Sequence, residues 1–264
     1  MIPNILSIAG SDPSGGAGIQ ADVKAISACG GYAMAAITAL TAQNTCGVTA
    51  VVLVEPDMVA AQIAAVRSDI RIDAVKIGML GTADIIAAVA RALEGVAAPV
   101  VLDPVMVAKG GDRLLAEAAV AALRDTLLPR ASVITPNLPE AADLLGTAPA
   151  GDLAGMERQG RDLLALGPQA VLLKGGHLAG QDSPDLLVTA GGTLRLTGPR
   201  HATRNTHGTG CTLSAALACL LGRGLPLADA ARGAKAYTAG AIAAADRLDV
   251  GQGHGPTHHF HAQF

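Results

Sequence analysis

Short apolar runs rich in β-branched residues alternate with Ala-rich helical stretches from one end of this 264-residue chain to the other. That order constrains the fold more than any other feature. Strands separated by helix-length crossovers form βαβ units, and successive units build a mostly parallel sheet covered by helices. "NILSIAG" reads as the first strand, followed by a helix from about Gly16 to Ala28 with Ile19, Val23 and Ile26 on its apolar face. "VTAVVLV", "DAVKIG", "PVVLD", "SVITP" and "AVLLKGG" have the length and branching of buried strands.

Thr82 is placed as a helix N-cap, and Pro56 and Pro139 sit where a first helical turn accepts proline. In "DLLVTAGGTLRLTG" two alternating runs flank Gly191-Gly192, which predicts an antiparallel hairpin at a sheet edge and makes the sheet mixed. Two helices follow, from about Cys211 and from about Ala228 to Leu248. No linker, composition break or long-period repeat divides the chain, so residues 1–264 are expected to form one α/β domain.

Composition narrows the function classes. With two Tyr, two Phe and no Trp, the core must be built from Ala, Leu, Val and Ile. The net charge is -3 with no basic stripe, so the footprint of a nucleic-acid binder is missing and a small-molecule partner is expected. No apolar run approaches the roughly 20 residues of a membrane span, and "MIPNILSIAGSD" lacks a secretory pattern. Cys29, Cys46, Cys211 and Cys219 form no CxxC pair. They read as free thiols in a cytoplasmic protein, all but Cys211 as packing residues.

In "AGSDPSGGAGIQAD" a strand ends in a Gly- and Ser-rich loop that opens a helix, a setting for backbone contacts to an anion or polar ligand. Gly16 to Ala21 fit the loose form of a dinucleotide fingerprint, but no acid lies between Asp22 and Glu55 to hold a ribose, and the P-loop pattern is absent. Asp22 falls on the apolar face of its helix; a boundary carboxylate bonded to backbone and a ligand group are both open readings. "ALTAQNT" ends an apolar strand in an amide-rich turn, and Gln43 there offers both a donor and acceptors.

Asp103 in "VLDPVM", Asn137 and Glu140 in "TPNLPEA", and Lys174 in "LLKGG" fall at the C-terminal ends of three apolar strands, where such sheets bind ligands. The acids suit Mg²⁺ and the lysine suits a phosphate. In "HGTGCTLSAALA", Gly208, Thr209 and Gly210 precede a helix and offer N–H groups to a developing negative charge. Cys211 in that turn is either a small buried hydrophobe or a thiol whose pKa the helix start lowers; His207 carries a weaker signal. The tail "GHGPTHHFHAQF" groups His254, His258, His259 and His261, but lacks an acidic or Cys companion for a metal, so it is read as a capping segment.

"IAGSDPSGGAGIQADVKA", "ITALTAQNT", "VLDPVM", "ITPNLPEA", "LLKGGH", "NTHGTGCTLSAALA" and "GHGPTHHF" together resemble the hydroxymethylpyrimidine and phosphomethylpyrimidine kinases of thiamine biosynthesis, within the ribokinase-like superfamily. The motifs run in order through nearly the whole chain. The resemblance implies a three-layer ribokinase-like sandwich with a small flap over the substrate. It also implies two successive phosphorylations by Mg-ATP, of 4-amino-5-hydroxymethyl-2-methylpyrimidine and then of its monophosphate. Carried onto this sequence, it assigns Asp22 and Gln43 to the pyrimidine and its substituents, with Gly10, Met79 and Val105 near the ring. It assigns Asp103, Asn137, Glu140 and Lys174 to ATP and Mg²⁺, Gly208 to Gly210 to the anion hole, and Cys211 to the base for the substrate hydroxyl. A homodimer is expected. Pyridoxal kinases share the fold, so a pyridoxal kinase is the alternative, and a dinucleotide oxidoreductase or a non-catalytic pyrimidine sensor fits the residues less well.

Overall fold

The structure is a computed structural model and describes residues 1–106 and 115–263. Eight strands form one sheet: β1 (Asn4–Ala9), β2 (Tyr32–Ile37), β5 (Ala74–Ile77), β6 (Val100–Leu102), β7 (Val133–Ile134), β8 (Ala170–Lys174), β9 (Asp185–Thr189) and β10 (Gly192–Leu196). Their spatial order is β10-β9-β8-β7-β6-β5-β1-β2. Pairings from β2 through β8 are parallel, and β9 and β10 add antiparallel at one edge. The mixed sheet and its edge hairpin match the sequence reading.

The inner parallel strands β1, β5, β6, β7 and β8 are buried on both faces, which explains their largely apolar runs, whereas the edge strand β2 is buried at alternate positions. On one face α2 (Pro56–Asp69), α3 (Ala83–Ala92), α4 (Glu117–Ala122), α5 (Leu138–Leu145) and α6 (Leu153–Leu164) close a core around Leu6, Ile8, Ile77 and Leu102. On the other, α1 (Gly18–Ala28), α7 (Thr209–Gly222) and α8 (Leu227–Ala243) cover Ile5, Ala74, Val101 and Leu172. These are the three layers expected. Small residues set the spacing on the second face, where Ala215, Ala216 and Ala218 of α7 and Ala230, Ala231 and Ala234 of α8 are all buried.

Local signals place the helix starts. Thr82 accepts a hydrogen bond from the Ile85 amide at the start of α3, and α2 and α5 each carry proline in their first turn. The helix from about Ala228 ends earlier than its sequence suggests, at Ala243, with a short 3₁₀ turn at Ala245–Arg247.

"VTAVVLV" is not a buried strand of the main sheet. It forms most of β4 (Gly47–Leu53), which pairs antiparallel with β3 (Ala39–Asn44) in a separate two-stranded flap. "ALTAQN" likewise is a complete flap strand rather than the end of a central one. Branched apolar residues favour extended backbone whether or not a second layer covers them, and here Leu40, Val51, Val52 and Leu53 stay exposed. Among the described residues no helix is long and apolar enough to cross a membrane.

Candidate active site

The crossover through α1 runs to one side of β1 and that through α3 to the other side of β5, so the strand order reverses between β1 and β5. Loops leaving the carboxyl ends of two such strands part and open a crevice. A cavity of about 850 Å³ occupies it, roofed by Thr41 and Gln43 of the flap and floored by the start of α7. Gly10, Gln43, Met79 and Val105 line one part; Asp103, Asn137, Glu140 and Lys174 line another; Gly208, Thr209, Gly210 and Cys211 lie between. Twelve sequence positions scattered over two hundred residues thus converge on one cavity, and Asp22 alone of the expected set is not among its walls.

Asp103, directly after β6, is almost fully buried. Its Oδ1 accepts from Lys174 Nζ at 3.0 Å and from Thr135 Oγ1 at 3.0 Å, and its Oδ2 accepts from Ser214 Oγ at 3.4 Å. Burial alone would raise its pKa, but Lys174 and Lys76 outweigh burial and hold it below the usual carboxylate range. Lys174 Nζ also lies 3.8 Å from Glu140 Oε2. Glu140 closes a capping box with Asn137: Asn137 Oδ1 accepts from the Glu140 amide at 2.8 Å, and Glu140 Oε2 accepts from the Asn137 amide at 2.7 Å. The Asn137 side-chain oxygen is therefore committed to starting α5. Burial pushes the Glu140 carboxyl up to about 7 despite Lys174.

The glycines before α7 have a steric reason. Gly208 is left-handed (φ 75°), and a Cβ there would lie 1.8 Å from the Gly16 carbonyl oxygen. A Cβ on Gly210 would lie 3.2 Å from Lys174 Nζ and 3.4 Å from Asp103 Oδ2. The helix start therefore abuts the lysine and the acid. Thr209 departs from the expected trio, because its amide turns back to the Thr206 carbonyl at 3.3 Å. The Gly208 amide bonds no backbone carbonyl among the described residues and stays with Gly210 in the expected set, and the Cys211 amide, in the same first turn and without an intrahelical acceptor, joins them.

Cys211 lies in the first turn of α7 and close to the start of α1, whose Gly18 backbone favours the thiolate. The sequence argument that a helix start lowers its pKa does not hold. Burial pushes the thiol up to about 11, Lys76 opposes this, and Asp22 and Asp103 add to it. Desolvation of a thiolate outweighs the local dipoles.

Asp22 is fully buried, but its partners are side chains rather than backbone. Its Oδ2 accepts from Lys76 Nζ at 2.8 Å and from Ser7 Oγ at 2.6 Å. A direct contact from this carboxylate to a ligand is not what the geometry offers. Lys76 carried no sequence signal because "DAVKIG" reads as a plain buried strand, yet it is the largest fully buried side chain of the described residues.

A second buried network was also hidden. Asp12 accepts from the Ser14, Gly16 and Ala17 amides, from Ser14 Oγ and from His207 Nε2, and His207 approaches Gln43 Nε2 at 3.4 Å. The tail joins in: His207 and Pro256 form a bridge, His254 N bonds the Thr45 carbonyl in the flap turn, and His259 Nε2 lies 3.1 Å from Thr212 Oγ1. This is the capping role expected of it. Cys219 is buried and Cys29 half-buried, as packing residues, whereas Cys46 is exposed in the flap turn and packs nothing.

The donor set can be tested against Mg²⁺. Asp103 and Glu140 present hard carboxylate oxygens on either side of Lys174. Among the described residues no cluster of three or more His, Cys, Asp or Glu forms a complete cage. Two carboxylates without a cage fit an ion that keeps several waters and is shared with phosphate oxygens.

Comparison with known proteins agrees with this geometry. A family model described as phosphomethylpyrimidine kinase matches residues 12–258. The chain is 58% identical over 260 residues to the hydroxymethylpyrimidine/phosphomethylpyrimidine kinase of Escherichia coli (strain K12), covering 98% of each chain. An ADP complex of Bacillus subtilis pyridoxal kinase is similar with a TM-score of 0.92 and 36% identity over 100% of both chains. A phosphomethylpyrimidine kinase from Clostridium difficile 630 is similar with a TM-score of 0.79 and 42% identity, covering 89% of this chain and 97% of its own.

Proposed function

The chain belongs to the phosphomethylpyrimidine kinase family, and we propose that it uses Mg-ATP to phosphorylate 4-amino-5-hydroxymethyl-2-methylpyrimidine and then the resulting monophosphate. The observation that carries the reading is the contact of the α7 start with Lys174 and Asp103 at Gly210, which joins an anion hole, a phosphate-binding cation and two metal-suited acids in one cavity.

In the proposed first step the hydroxymethyl oxygen attacks the γ-phosphorus in line, the new P–O bond forms, and the bond to the β-phosphate oxygen breaks to release ADP. The hydroxyl proton passes to the Cys211 sulfur through its thiolate, the minor form near neutral pH because burial raises the thiol. The Gly210 and Cys211 amides and Lys174 stabilise the charge on the transferred group, while Gly10, Met79 and Val105 hold the ring and Gln43 bonds its substituents from the flap. Asp103 and Glu140 would hold Mg²⁺, which when bound neutralises phosphate charge. Phosphoryl transfer has a loose transition state, so positioning and charge carry most of the rate. The second acceptor is already a phosphate and needs no strong base.

Incubation with Mg-ATP and either the hydroxymethylpyrimidine or pyridoxal, with products weighed by mass spectrometry, tests the reading. The diphosphate of the pyrimidine is expected, and its absence overturns it. Pyridoxal is included because a pyridoxal kinase shares this backbone so closely. Cys211→Ala should slow the hydroxyl step far more than the phosphate step; equal losses count against the base role.

The chain is further proposed to act as a cytoplasmic homodimer. Free thiols at all four cysteines support the compartment. Exposed Leu40 and Val52, paired directly across the flap, supply an apolar face for self-association. Val52→Glu should convert the dimer to monomer in sedimentation.

A further inference from the structure

Lys76 lies in the middle of the sheet with its side chain wholly buried. The β1–β5 register sets it opposite Ser7, and it alternates with Val75 and Ile77, so it projects with Ala74 toward α1 and α7. An ammonium has three donors, and among the described residues its hydrogen-bond acceptor is one atom, Asp22 Oδ2. Asp22 Oδ1 is the one buried side-chain polar atom of the described residues with no partner. A buried ion pair this sparsely satisfied is a weak device for stability, since apolar residues of the same shape often do as well. Gly78 keeps room for the charge: a Cβ there would lie 2.7 Å from Lys76 Nζ.

Lys76 borders the cavity beside Cys211, yet its side chain is 0% exposed and its ammonium is held by Asp22, so its charge acts on the site from behind the wall. The start of α7 packs on β1, β5 and β6, and brings Cys211 to the same wall. We propose that Lys76 is a positioning residue that stabilises the Cys211 thiolate, and that Asp22 serves by holding Lys76 in place rather than by touching substrate. The charged groups around Cys211 are Lys76 from β5, Asp103 after β6 and Lys174 at the end of β8, which border the same cavity, with Asp22 from α1 bound to Lys76 behind them. Lys76 is the largest influence among them favouring the thiolate; both carboxylates disfavour it, and Lys174 is bound to Asp103. The catalytic consequence rests on Cys211 acting as the base.

The test is the pH dependence of Cys211 alkylation by iodoacetamide, read by peptide mass spectrometry in the full chain. Wild type is compared with Asp22→Asn and with Asp22→Asn/Lys76→Met. The double variant removes both charges together and leaves no buried ion unpaired. The midpoint is expected lowest in Asp22→Asn, intermediate in wild type and highest in the double variant, with about one pH unit or more between the two variants, equivalent to about tenfold in thiolate at fixed pH. Should Asp22→Asn not fold, the double variant against wild type reads the same sign. Equal midpoints with and without Lys76 overturn the proposal, because a purely structural ion pair leaves the thiol unmoved. A shifted midpoint without a slower hydroxyl step overturns the base role of Cys211 instead, and leaves this assignment standing.

Discussion

His207 Nε2 lies 2.8 Å from Asp12 Oδ2, which ties the residue just before the anion hole to the loop leaving the first strand. The two are 195 residues apart in sequence. Asp12 spends its other acceptor sites on the amides of its own loop, so the pair fixes the loop and the start of α7 relative to each other.

His207→Ala removes one donor from a buried carboxylate, which costs about 1–3 kcal/mol. Turnover should fall by about tenfold or more through a loosened anion hole, while nucleotide affinity changes less. Denaturant unfolding and steady-state kinetics check the two effects. Burial raises the Asp12 pKa, but its bonds to His207, Ser14 and Ala17 outweigh burial and lower it from 3.8. Its contribution to stability is therefore present above that value and lost as the pH falls through the lower folded value.

Gly208→Ala places a methyl group on the Gly16 carbonyl and a side chain in left-handed backbone. Activity should drop by about 10² or more, the range for a lost oxyanion donor, with a clear loss of thermal stability. Gly224→Ala is the control. Gly224 is also left-handed (φ 82°) but has nothing within 4 Å of its added Cβ. It should cost about 1 kcal/mol and leave turnover intact.

Lys174→Met leaves Asp103 buried without its cation, a change that typically costs about 3–5 kcal/mol. Turnover should fall by about 10²–10³. Lys174→Met/Asp103→Asn should recover much of the stability and none of the activity. Thermal unfolding and kcat measured on both variants separate the structural from the catalytic share.

Glu140 is raised from 4.5 to about 7, first by burial. A carboxyl with a raised folded pKa stabilises the fold below its unfolded pKa, and that contribution is lost as the pH rises toward 7. Glu140→Gln can still accept the Asn137 amide in the capping box and does not ionise. Between about pH 4.5 and 7 its melting temperature should therefore gain on wild type as the pH rises. A parallel pair of curves would contradict the buried-acid assignment.

Much of this was legible in the chain because it is local. Alternation of branched runs with Ala-rich helices specifies a parallel sheet, and Gly191-Gly192 specifies a hairpin. The strand-end residues Asp103 and Lys174 could be assigned to the crevice because in such sheets the carboxyl ends carry the ligand. What local pattern could not say is which strands join which sheet. "VTAVVLV" has the composition of a core strand and lies exposed in the flap, since burial depends on a covering layer and not on the strand itself.

The sequence by itself determined the alternation of strands and helices and the edge hairpin through periodicity and turn chemistry, put the acids and the lysine at strand ends, and through its motif resemblance implied the three-layer class and the residues around the cavity. Only the tertiary structure decided the burial of Cys211 among charged groups, the burial of Asp22 behind Lys76, and the clasp of Asp12 with His207. Those depend on desolvation and on distances of a few ångströms between residues far apart in the chain, and a linear pattern carries neither.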